Sequence, residues 1–317
     1  MSEIAVVVPF RGEWSSVVPT LSALSSQTIR ENLEIILSID GEDSPPADVK
    51  SLADACVNGK QTGPAAARNR GWKSTGAQLV LFTDSDCIPH PDWAAKMAEK
   101  LRGEYQAVKG VYSSGGSRLI QRLAQVEFAE RYTLMCKAGT IHLADTYSAG
   151  FKRDWLDKLG GFDETFCLPE HEDVDLSWRL TSAGGRIGFV SDAMVQHTHR
   201  SSWAAYFRMK YRRGKWRIML VRKFPARAVK DGYTPQTLKL QMLLSVPVLL
   251  SLFLLPVFPV ITMLLVSLYL ILCIPLVLAA IRTDPGTLPA VPAFALWRGI
   301  ALFSGFVRGA MERSEQC

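Results

Sequence analysis

The sequence has few cysteines, and they form no pattern that indicates a zinc site or a disulfide framework. Six cysteines are scattered along 317 residues, and none stands in a Cys-x-x-Cys pair. Such usage is typical of a protein in a reducing compartment. The sequence also lacks repeats and low-complexity tracts. An apolar run begins as early as Ile4, so we expect no cleaved signal peptide.

Acidic residues are absent between Arg200 and Lys230, where basic residues are frequent. This stretch is the main source of the net charge of +6, and a basic segment directly before an apolar one is expected to contact anionic lipid head groups. Nucleic-acid binding is the other interpretation, but the position before a membrane segment favours lipid, and we expect no nucleic-acid partner. The aromatic side chains that would stack on bases are Trp203, Tyr206, Phe207, Tyr211 and Trp216.

Charged residues are absent from Val260 to Ile281, a run long enough to span a bilayer. Leu238 to Leu255 is a second apolar run, and Pro256 and Pro259 between the two predict a tight hairpin. Basic residues flank both outer ends, so the positive-inside rule places both ends in the cytoplasm. A buried helical hairpin in a soluble protein is the alternative.

A third apolar segment, Ala293 to Met311, is interrupted by Arg298 and Arg308, which predicts an interfacial helix rather than a span. The sequence thus predicts four regions in order. They are an α/β domain at 1–200, a basic interfacial segment at 201–235, two transmembrane helices at 236–282, and a cytoplasmic tail with an interfacial helix at 283–317.

The N-terminal region alternates apolar strands with helical segments. Strands are predicted at Ile4 to Val8, Ile35 to Ile39 and Leu79 to Phe82, and Gly63 to Gly71 opens a helix with Pro64 in its first turn. Alternation at this spacing implies parallel βαβ units and an α/β fold.

Two carboxylates, Asp84 and Asp86, directly follow the strand that ends at Phe82. In an extended chain their side chains point the same way, at the carboxyl end of a strand, where open α/β sheets bind ligands. Paired carboxylates repel each other unless a cation lies between them, and oxygen ligands suit Mg²⁺ or Mn²⁺. The alternative is a polar turn closed by Pro89 and Pro91.

The residues at the predicted strand ends and helix starts make the chain resemble the inverting family 2 glycosyltransferases of GT-A fold. The resemblance covers roughly residues 4 to 200, and its motifs come in the family's order. They are Val8-Pro9-Phe10, Asp40-Gly41, the segment from Gly63 to Gly71, Asp84-Ser85-Asp86, the segment from Gly160 to Glu164, and Glu172-Asp173-Val174-Asp175-Leu176. The acidic segment that leads this last predicted helix begins at Glu170.

The resemblance implies a donor site for a nucleotide-sugar, with UDP as the default nucleotide. Pro9, Phe10, Asp40, Arg68 and Asp84 match the family's donor-binding positions. Asp40 would bind the base or ribose, Arg68 the base or phosphates, and Asp84 the ribose. From the residues alone, the alternative for Asp40 is a turn residue before Gly41, and the alternative for Arg68 is a solvated residue on a helix face.

The resemblance also implies a metal and a catalytic base. Asp86 would hold Mn²⁺ or Mg²⁺ with His197 as a further ligand, although His197 is equally a hydrogen-bonded structural histidine, and His199 is a weaker candidate. Asp173 matches the base that takes the proton of the acceptor hydroxyl, and Glu172 would bind an acceptor or sugar hydroxyl. An acidic helix start that serves only the helix dipole is the alternative for this pair.

Taken together, these features imply a multi-pass protein of the cytoplasmic membrane with its catalytic domain on the cytoplasmic side. It would transfer one sugar, with inversion, to a lipid-linked saccharide in surface polysaccharide or glycan assembly. The rival interpretation is a GT-A-like membrane protein that binds nucleotide or glycan without turnover. Donor hydrolysis with manganese would distinguish the two.

Overall fold

The structure is a computed structural model that describes residues 2–166, 171–227 and 234–312. Glu170, at the start of the predicted acidic segment, lies outside these residues, as do Cys167 and Cys317. The described chain divides into two compact units. The first holds residues up to Gly115 and Ala138–Thr198, and the second holds Gly116–Lys137 and the residues from His199 onward.

The first unit contains one mixed sheet of eight strands with helices around it. The strands are β1 Ile4–Phe10, β2 Leu33–Ile39, β3 Ala55–Val57, β4 Leu79–Phe82, β5 Cys87–Pro89, β6 Ala107–Ser114, β7 Ala149–Lys152 and β8 Ile187–His197. The helices are α1 Val18–Ser25, α2 Ala47–Lys50, α3 Pro64–Lys73, α4 Trp93–Arg102, α6 Arg153–Leu159 and α7 Glu172–Ser182, numbered in chain order with those of the second unit.

Strand order in the sheet is β3-β2-β1-β4-β7-β6-β8-β5. β1 pairs in parallel with both β2 and β4, so the strand order reverses at β1, and the carboxyl ends of β1, β2 and β4 open on one edge. The strands are buried on both faces, which explains why β1 and β4 are unbroken apolar runs. Ligands bind at such a reversal point in open α/β sheets. The expected α/β fold is confirmed.

Two short strands make the sheet mixed. β7 lies antiparallel between β4 and β6, and β5 pairs antiparallel with β8 at the sheet edge. Helix α3 packs closely on strand β1. A Cβ on Gly71 of α3 would collide with the side chain of Val7 of β1. Only a glycine therefore lets α3 approach the strand that carries Pro9 and Phe10.

The second unit is helical. Its helices are α5 Leu119–Lys137, α8 Trp203–Lys223, α9 Gln236–Phe253, α10 Pro259–Thr283 and α11 Val291–Met311. A buried charge cluster lies among α5, α8, α9 and α11: Glu127 accepts hydrogen bonds from Tyr206 and from Lys210, both at 2.7 Å, and Arg298 donates to Gln241 at 2.7 Å. These charges stay buried because each faces an opposite charge or a hydrogen-bond partner.

Three helical segments of the described chain are long and apolar enough to cross a membrane. They are α9, α10 and the stretch Pro285–Met311, which includes α11, with mean hydropathies of 1.4, 2.8 and 1.5. The two predicted hairpin helices are thus present. The third segment is the one for which the sequence predicts an interfacial position.

Two aromatic side chains of the basic helix α8 pack against α11, whereas Trp203 at its start is exposed. Tyr206 is buried against Phe294, at 5.2 Å between ring centroids, and Phe207 packs on Trp297 at 4.8 Å. These rings are part of the packing between α8 and α11. The expectation of no nucleic-acid partner stays a prediction.

Candidate active site

Arg68 is the centre of the site at the carboxyl edge of the sheet. It lies on α3 with 3% of its surface exposed, so it is not a residue of a solvated helix face. Its Nη1 donates to Oε1 of Glu172 at 2.7 Å, and its Nη2 donates to Oδ1 of Asp84 at 2.9 Å. One guanidinium therefore connects the middle of α3 to the turn after β4 and to the start of α7, and Arg68 and Glu172 lie 104 residues apart in sequence. The planar guanidinium of an arginine can donate to two carboxylates at once, and the ammonium group of a lysine suits this double contact less well.

Glu172 is the buried member of this network, with 3% exposure. Burial raises the pKa of Glu172 to about 7, against the opposing charge of Arg68 and with a further rise from Asp173. The carboxyl group is therefore poised to change charge near neutral pH. A group so perturbed beside a charge partner is a common feature of functional sites.

Asp173 follows Glu172 in the first turn of α7 and is half-buried. Its Oδ1 accepts a hydrogen bond from the backbone N–H of Val174 at 2.8 Å. The positive end of the helix dipole favours the ionised form of a carboxylate here. His171, directly before the helix, has φ 72°, the only positive φ among the described residues other than glycine. Strained backbone of this kind is concentrated at active sites.

Asp40 connects the end of β2 to the start of α3. Its Oδ1 accepts hydrogen bonds from the backbone N–H groups of Thr62 at 2.8 Å and Gly63 at 3.0 Å, one residue before the helix begins at Pro64. Asp40 is thus more than a turn residue, because its carboxylate fixes the loop that leads to Arg68. It is almost fully buried.

Pro9 and Phe10 end the central strand β1 on the same edge of the sheet. Phe10 is buried and packs on Trp14, with the ring centroids 4.8 Å apart. Backbone pairing continues one residue beyond the strand, where Asp40 N donates to Phe10 O at 2.8 Å. The strand end and Asp40 are therefore held together.

Asp84 and Asp86 lie in the turn between β4 and β5, and they face different partners. Asp84 contacts Arg68, whereas Oδ1 of Asp86 lies 3.6 Å from Nδ1 of His197. The residues between β4 and β5 form a turn rather than an extended strand, in which Cys87 N donates to Asp84 O at 3.1 Å.

Asp86, Cys87 and His197 form a cluster that fits a divalent cation. One donor atom from each lies within 4.8 Å of the other two, and this is the one such cluster found among the described residues. Asp86 has 66% of its side chain exposed and His197 has 22%, so a ligand can reach both. Burial, together with the charges of Asp84 and Asp86, holds the pKa of the Cys87 thiol well above its usual value.

Several residues near the site were not found from the sequence. Asn69 joins α3 to the loop after α6, because its side chain donates to Phe162 O at 2.8 Å and accepts from Phe162 N at 2.9 Å. Tyr112 stacks on His197 at 4.9 Å between centroids and on Tyr147. Asn69 lies inside a recognised motif, so only its role was missed, whereas nothing in the sequence signals Tyr112.

His199 is not part of this site. It belongs to the second unit, where its ring stacks on Phe128 at 5.3 Å and its Nε2 lies 2.9 Å from Oε1 of Gln125. It is buried as a packed structural histidine.

Comparisons with known proteins show which family and fold the chain is similar to. Residues 5–160 match the family described as Glycosyl transferase family 2. The chain is 27% identical over 215 residues to the pre-mycofactocin glycosyltransferase of Mycobacterium tuberculosis, a match that covers 63% of this chain and 43% of that protein. It is 25% identical over 236 residues to glycosyltransferase AglE of Haloferax volcanii, covering 68% of this chain and 73% of AglE. The chain therefore spans less than half the length of the mycobacterial relative.

Among solved structures, the mannosyltransferase PcManGT from Pyrobaculum calidifontis, solved with GDP-Man and Mn²⁺, is similar in fold. The TM-score is 0.60 at 21% identity, and the match covers 98% of this chain and 88% of that one. At this identity the likeness concerns the fold alone. The described chain thus has the GT-A fold, and its residues 5–160 match the Glycosyl transferase family 2 domain.

Proposed function

We propose that the chain is a glycosyltransferase that moves a sugar from a nucleotide-sugar to a lipid-linked saccharide at the cytoplasmic face of a membrane, with inversion. The observation that carries this proposal is the Arg68 bridge between Asp84 and Glu172, with Asp173 beside it on the helix start. This arrangement puts donor-binding groups and a half-buried carboxylate at one edge of the sheet.

The donor side of the site is built to bind a nucleotide and its diphosphate. Asp84 is partly exposed and can accept from a ribose hydroxyl, and the Arg68 guanidinium next to it supplies positive charge. Within the described chain, Nε of Arg68 is buried without a hydrogen-bond partner, and a ligand oxygen would satisfy it. The default donor is a UDP-sugar, although PcManGT was solved with GDP-Man.

Asp86 and His197 are the residues that would hold Mn²⁺ or Mg²⁺. Carboxylate oxygen and imidazole nitrogen together suit Mn²⁺. A bound divalent cation would supply charge neutralisation for the leaving diphosphate. Asp86 is exposed and His197 is partly exposed, so a diphosphate could approach a cation bound by these two residues.

Asp173 is the residue that takes the proton. An acceptor hydroxyl has a high pKa, and a positioned carboxylate removes its proton in the transition state. Asp173 is more open to an incoming acceptor than Glu172 is, and it lies in the first turn of α7. Direct attack by the activated hydroxyl is a single displacement, which inverts the anomeric centre. Glu172, held by Arg68, would bind an acceptor or sugar hydroxyl.

The membrane anchor consists of α9 and α10. Both helices leave large apolar side chains exposed along their length, including Leu250, Phe253, Val260 and Leu264. A water-soluble helical hairpin would not expose so continuous an apolar surface. Membrane lipids are therefore a partner of these helices, and a lipid-linked acceptor would lie in the same membrane.

We infer that α11 lies in the interface and does not cross the membrane. Gly305 and Gly309 of α11 pack directly on the backbone of α8 at Tyr211 and Lys215, so the two helices run side by side. If α11 crossed the membrane, exposed arginines of α8 such as Arg208 and Arg212 would enter the hydrocarbon with it. Each such charge costs about 2.5–3.5 kcal/mol at the bilayer centre. If α8 and α11 both lie parallel to the membrane surface, these charges stay at the lipid head groups.

The test of the proposed function is Asp173→Asn. This substitution keeps the size and the hydrogen bonding of the side chain but cannot accept a proton. We expect sugar transfer in a single turnover to fall about 10²–10⁴-fold, while nucleotide affinity changes little. Asp154→Asn is a matched control, because Asp154 is an exposed acid in the first turn of α6.

The assay uses full-length protein with membrane extract as acceptor and a panel of UDP- and GDP-sugars, beside nucleotide binding by calorimetry. Near-normal transfer by Asp173→Asn would place the base elsewhere. If no sugar in the panel is transferred or hydrolysed by the wild type with Mn²⁺, while nucleotide still binds, a non-catalytic binding protein becomes the better conclusion.

A further inference from the structure

Cys87 occupies a position that is unusual for a structural cysteine. It is the first residue of β5 and lies directly opposite His197 of β8 in the antiparallel pair. Side chains of directly opposite residues lie on the same face of a sheet, so the thiol and the imidazole are neighbours. Asp86, the preceding residue, brings its carboxylate to the same point.

The distances are those of atoms that share one cation. Sγ of Cys87 lies 3.8 Å from Oδ1 of Asp86, and Nδ1 of His197 lies 3.6 Å from the same oxygen. Donor atoms bonded to one cation at about 2.0–2.3 Å are separated by similar distances. A cysteine that only fills space would turn its sulfur to apolar neighbours, whereas this sulfur faces a carboxylate oxygen and has an imidazole nitrogen within 4.8 Å.

We propose that Cys87 is a third protein ligand of the metal site, which makes the site prefer thiophilic divalent cations. The inference rests on the proposed function and refines its metal. On binding, the cation takes the sulfur electron pair, and the thiol proton leaves to solvent with no change of oxidation state. The donor set becomes one carboxylate oxygen, one imidazole nitrogen and one thiolate sulfur.

This donor set predicts an order of affinity. Magnesium prefers oxygen ligands alone, whereas thiolate and imidazole favour softer metals, and affinity for a mixed site rises from Mn²⁺ to Co²⁺. We therefore expect Cd²⁺ and Co²⁺ to bind more tightly than Mn²⁺, and Mn²⁺ more tightly than Mg²⁺. A site of Asp86 and His197 without the sulfur would not favour Cd²⁺ in this way.

The experiment follows metal binding in the full-length protein, without sugar transfer as the readout. Titration with Co²⁺ should give a thiolate-to-cobalt charge-transfer band in the wild type, and Cys87→Ser should lose it. Cys56→Ser is the control, since Cys56 is a half-buried thiol on β3 and should leave the band unchanged. In calorimetry, Cys87→Ser should weaken Cd²⁺ binding by about 10-fold or more and Mn²⁺ binding much less.

Two results would overturn the inference. One is a wild-type Co²⁺ complex without a thiolate band, a result that does not depend on any variant folding. The other is an unchanged ratio of Cd²⁺ to Mn²⁺ affinity in Cys87→Ser. If Mn²⁺ still binds and supports sugar transfer in either case, the proposed function stands and only the role of Cys87 fails. If the wild type binds no divalent cation, both the role of Cys87 and the metal requirement are wrong.

Discussion

Replacing Arg68 with methionine tests whether the site is held by charge. The substitution keeps an unbranched side chain of similar length but removes the positive charge that faces Glu172 and Asp84. Both ion pairs would be lost at once, and Glu172 would remain buried without its partner. We expect the variant to be less stable and to bind nucleotide more weakly.

The size of the effect follows from the burial of the pair. Arg68 and Glu172 each expose only 3% of their surface, and removal of one partner of a buried ion pair costs about 3–5 kcal/mol. Arg30→Met is the matched control, because the pair of Arg30 and Asp54 has the same 2.7 Å distance but exposes about a third of each side chain. An exposed pair contributes at most about 1 kcal/mol.

The dependence on pH distinguishes charge from packing. The pKa of Glu172 is raised from 4.5 to about 7, so the folded protein binds this proton more tightly than the unfolded chain does. The favourable contribution is complete below about pH 4.5 and declines as the pH rises to 7. Arg68 opposes this shift, so its loss raises the pKa of Glu172 further. The destabilisation in Arg68→Met should therefore be larger at pH 8 than at pH 5.

The assay is thermal unfolding of the full-length protein in detergent at both pH values, for the single variants and for Arg68→Met with Glu172→Gln. The neutral glutamine removes the uncompensated charge, so the double variant should recover much of the lost stability at pH 8. Equal destabilisation at both pH values, with no recovery in the double variant, would show that Arg68 acts through packing.

Three further predictions concern the metal, the membrane and the loop after α6. Asp86→Ala should lose metal-dependent donor binding while the protein remains folded, and full activity in excess chelator would contradict a metal requirement. Full-length protein should stay in the membrane pellet after carbonate washing, whereas a chain that ends near Asp231 should become largely soluble; release of the full-length protein would exclude spanning helices. Gly161→Ala should destabilise more than Gly160→Ala, since both glycines have φ near +74° but only at Gly161 would a Cβ meet Asn69. The left-handed backbone alone costs about 1–2 kcal/mol, so equal effects in thermal unfolding would rule out the Asn69 contact as the cause.

The sequence predicted the elements whose signals are local. The strands at Ile4, Ile35 and Leu79 are buried on both faces, and their apolar runs show this directly. The start of α3 follows from Pro64, whose fixed φ suits the first turn of a helix. These elements bring Asp40, Asp84 and the α3 helix to one edge, so the approximate place of the site was predictable.

The short strands could not be found in the same way. β5 has three residues and contains Pro89, which weakens any strand signal, and its position at the sheet edge is what tolerates a proline. β7 has four residues and contains Gly150, where a Cβ would meet Leu81 at 2.7 Å. Each of these strands pairs with a longer strand that is distant in sequence: β5 pairs with β8, and β7 pairs with β6.

The role of Arg68 was open for the same reason. On a helix with a period of 3.6 residues, an arginine after three alanines is as compatible with solvent as with a buried acid. Glu172 lies 104 residues further on, and no local pattern connects the two. Family resemblance suggested a ligand contact for Arg68, whereas the structure shows that the same guanidinium also fixes the carboxylates around it.

Arg298 shows why hydropathy alone does not decide the position of α11. Its charge lowers the hydropathy of the segment, and this favours an interfacial helix from the sequence. In the structure Arg298 is almost fully buried and bound to Gln241, with Glu127 at 3.7 Å, so its charge is compensated inside the helical unit and does not itself exclude a span. The decisive residues are instead on α8, where Arg208 and Arg212 remain exposed and move with α11 through the glycine contacts. The position of an apolar helix therefore depends on the charges of the helix packed against it as well as on its own.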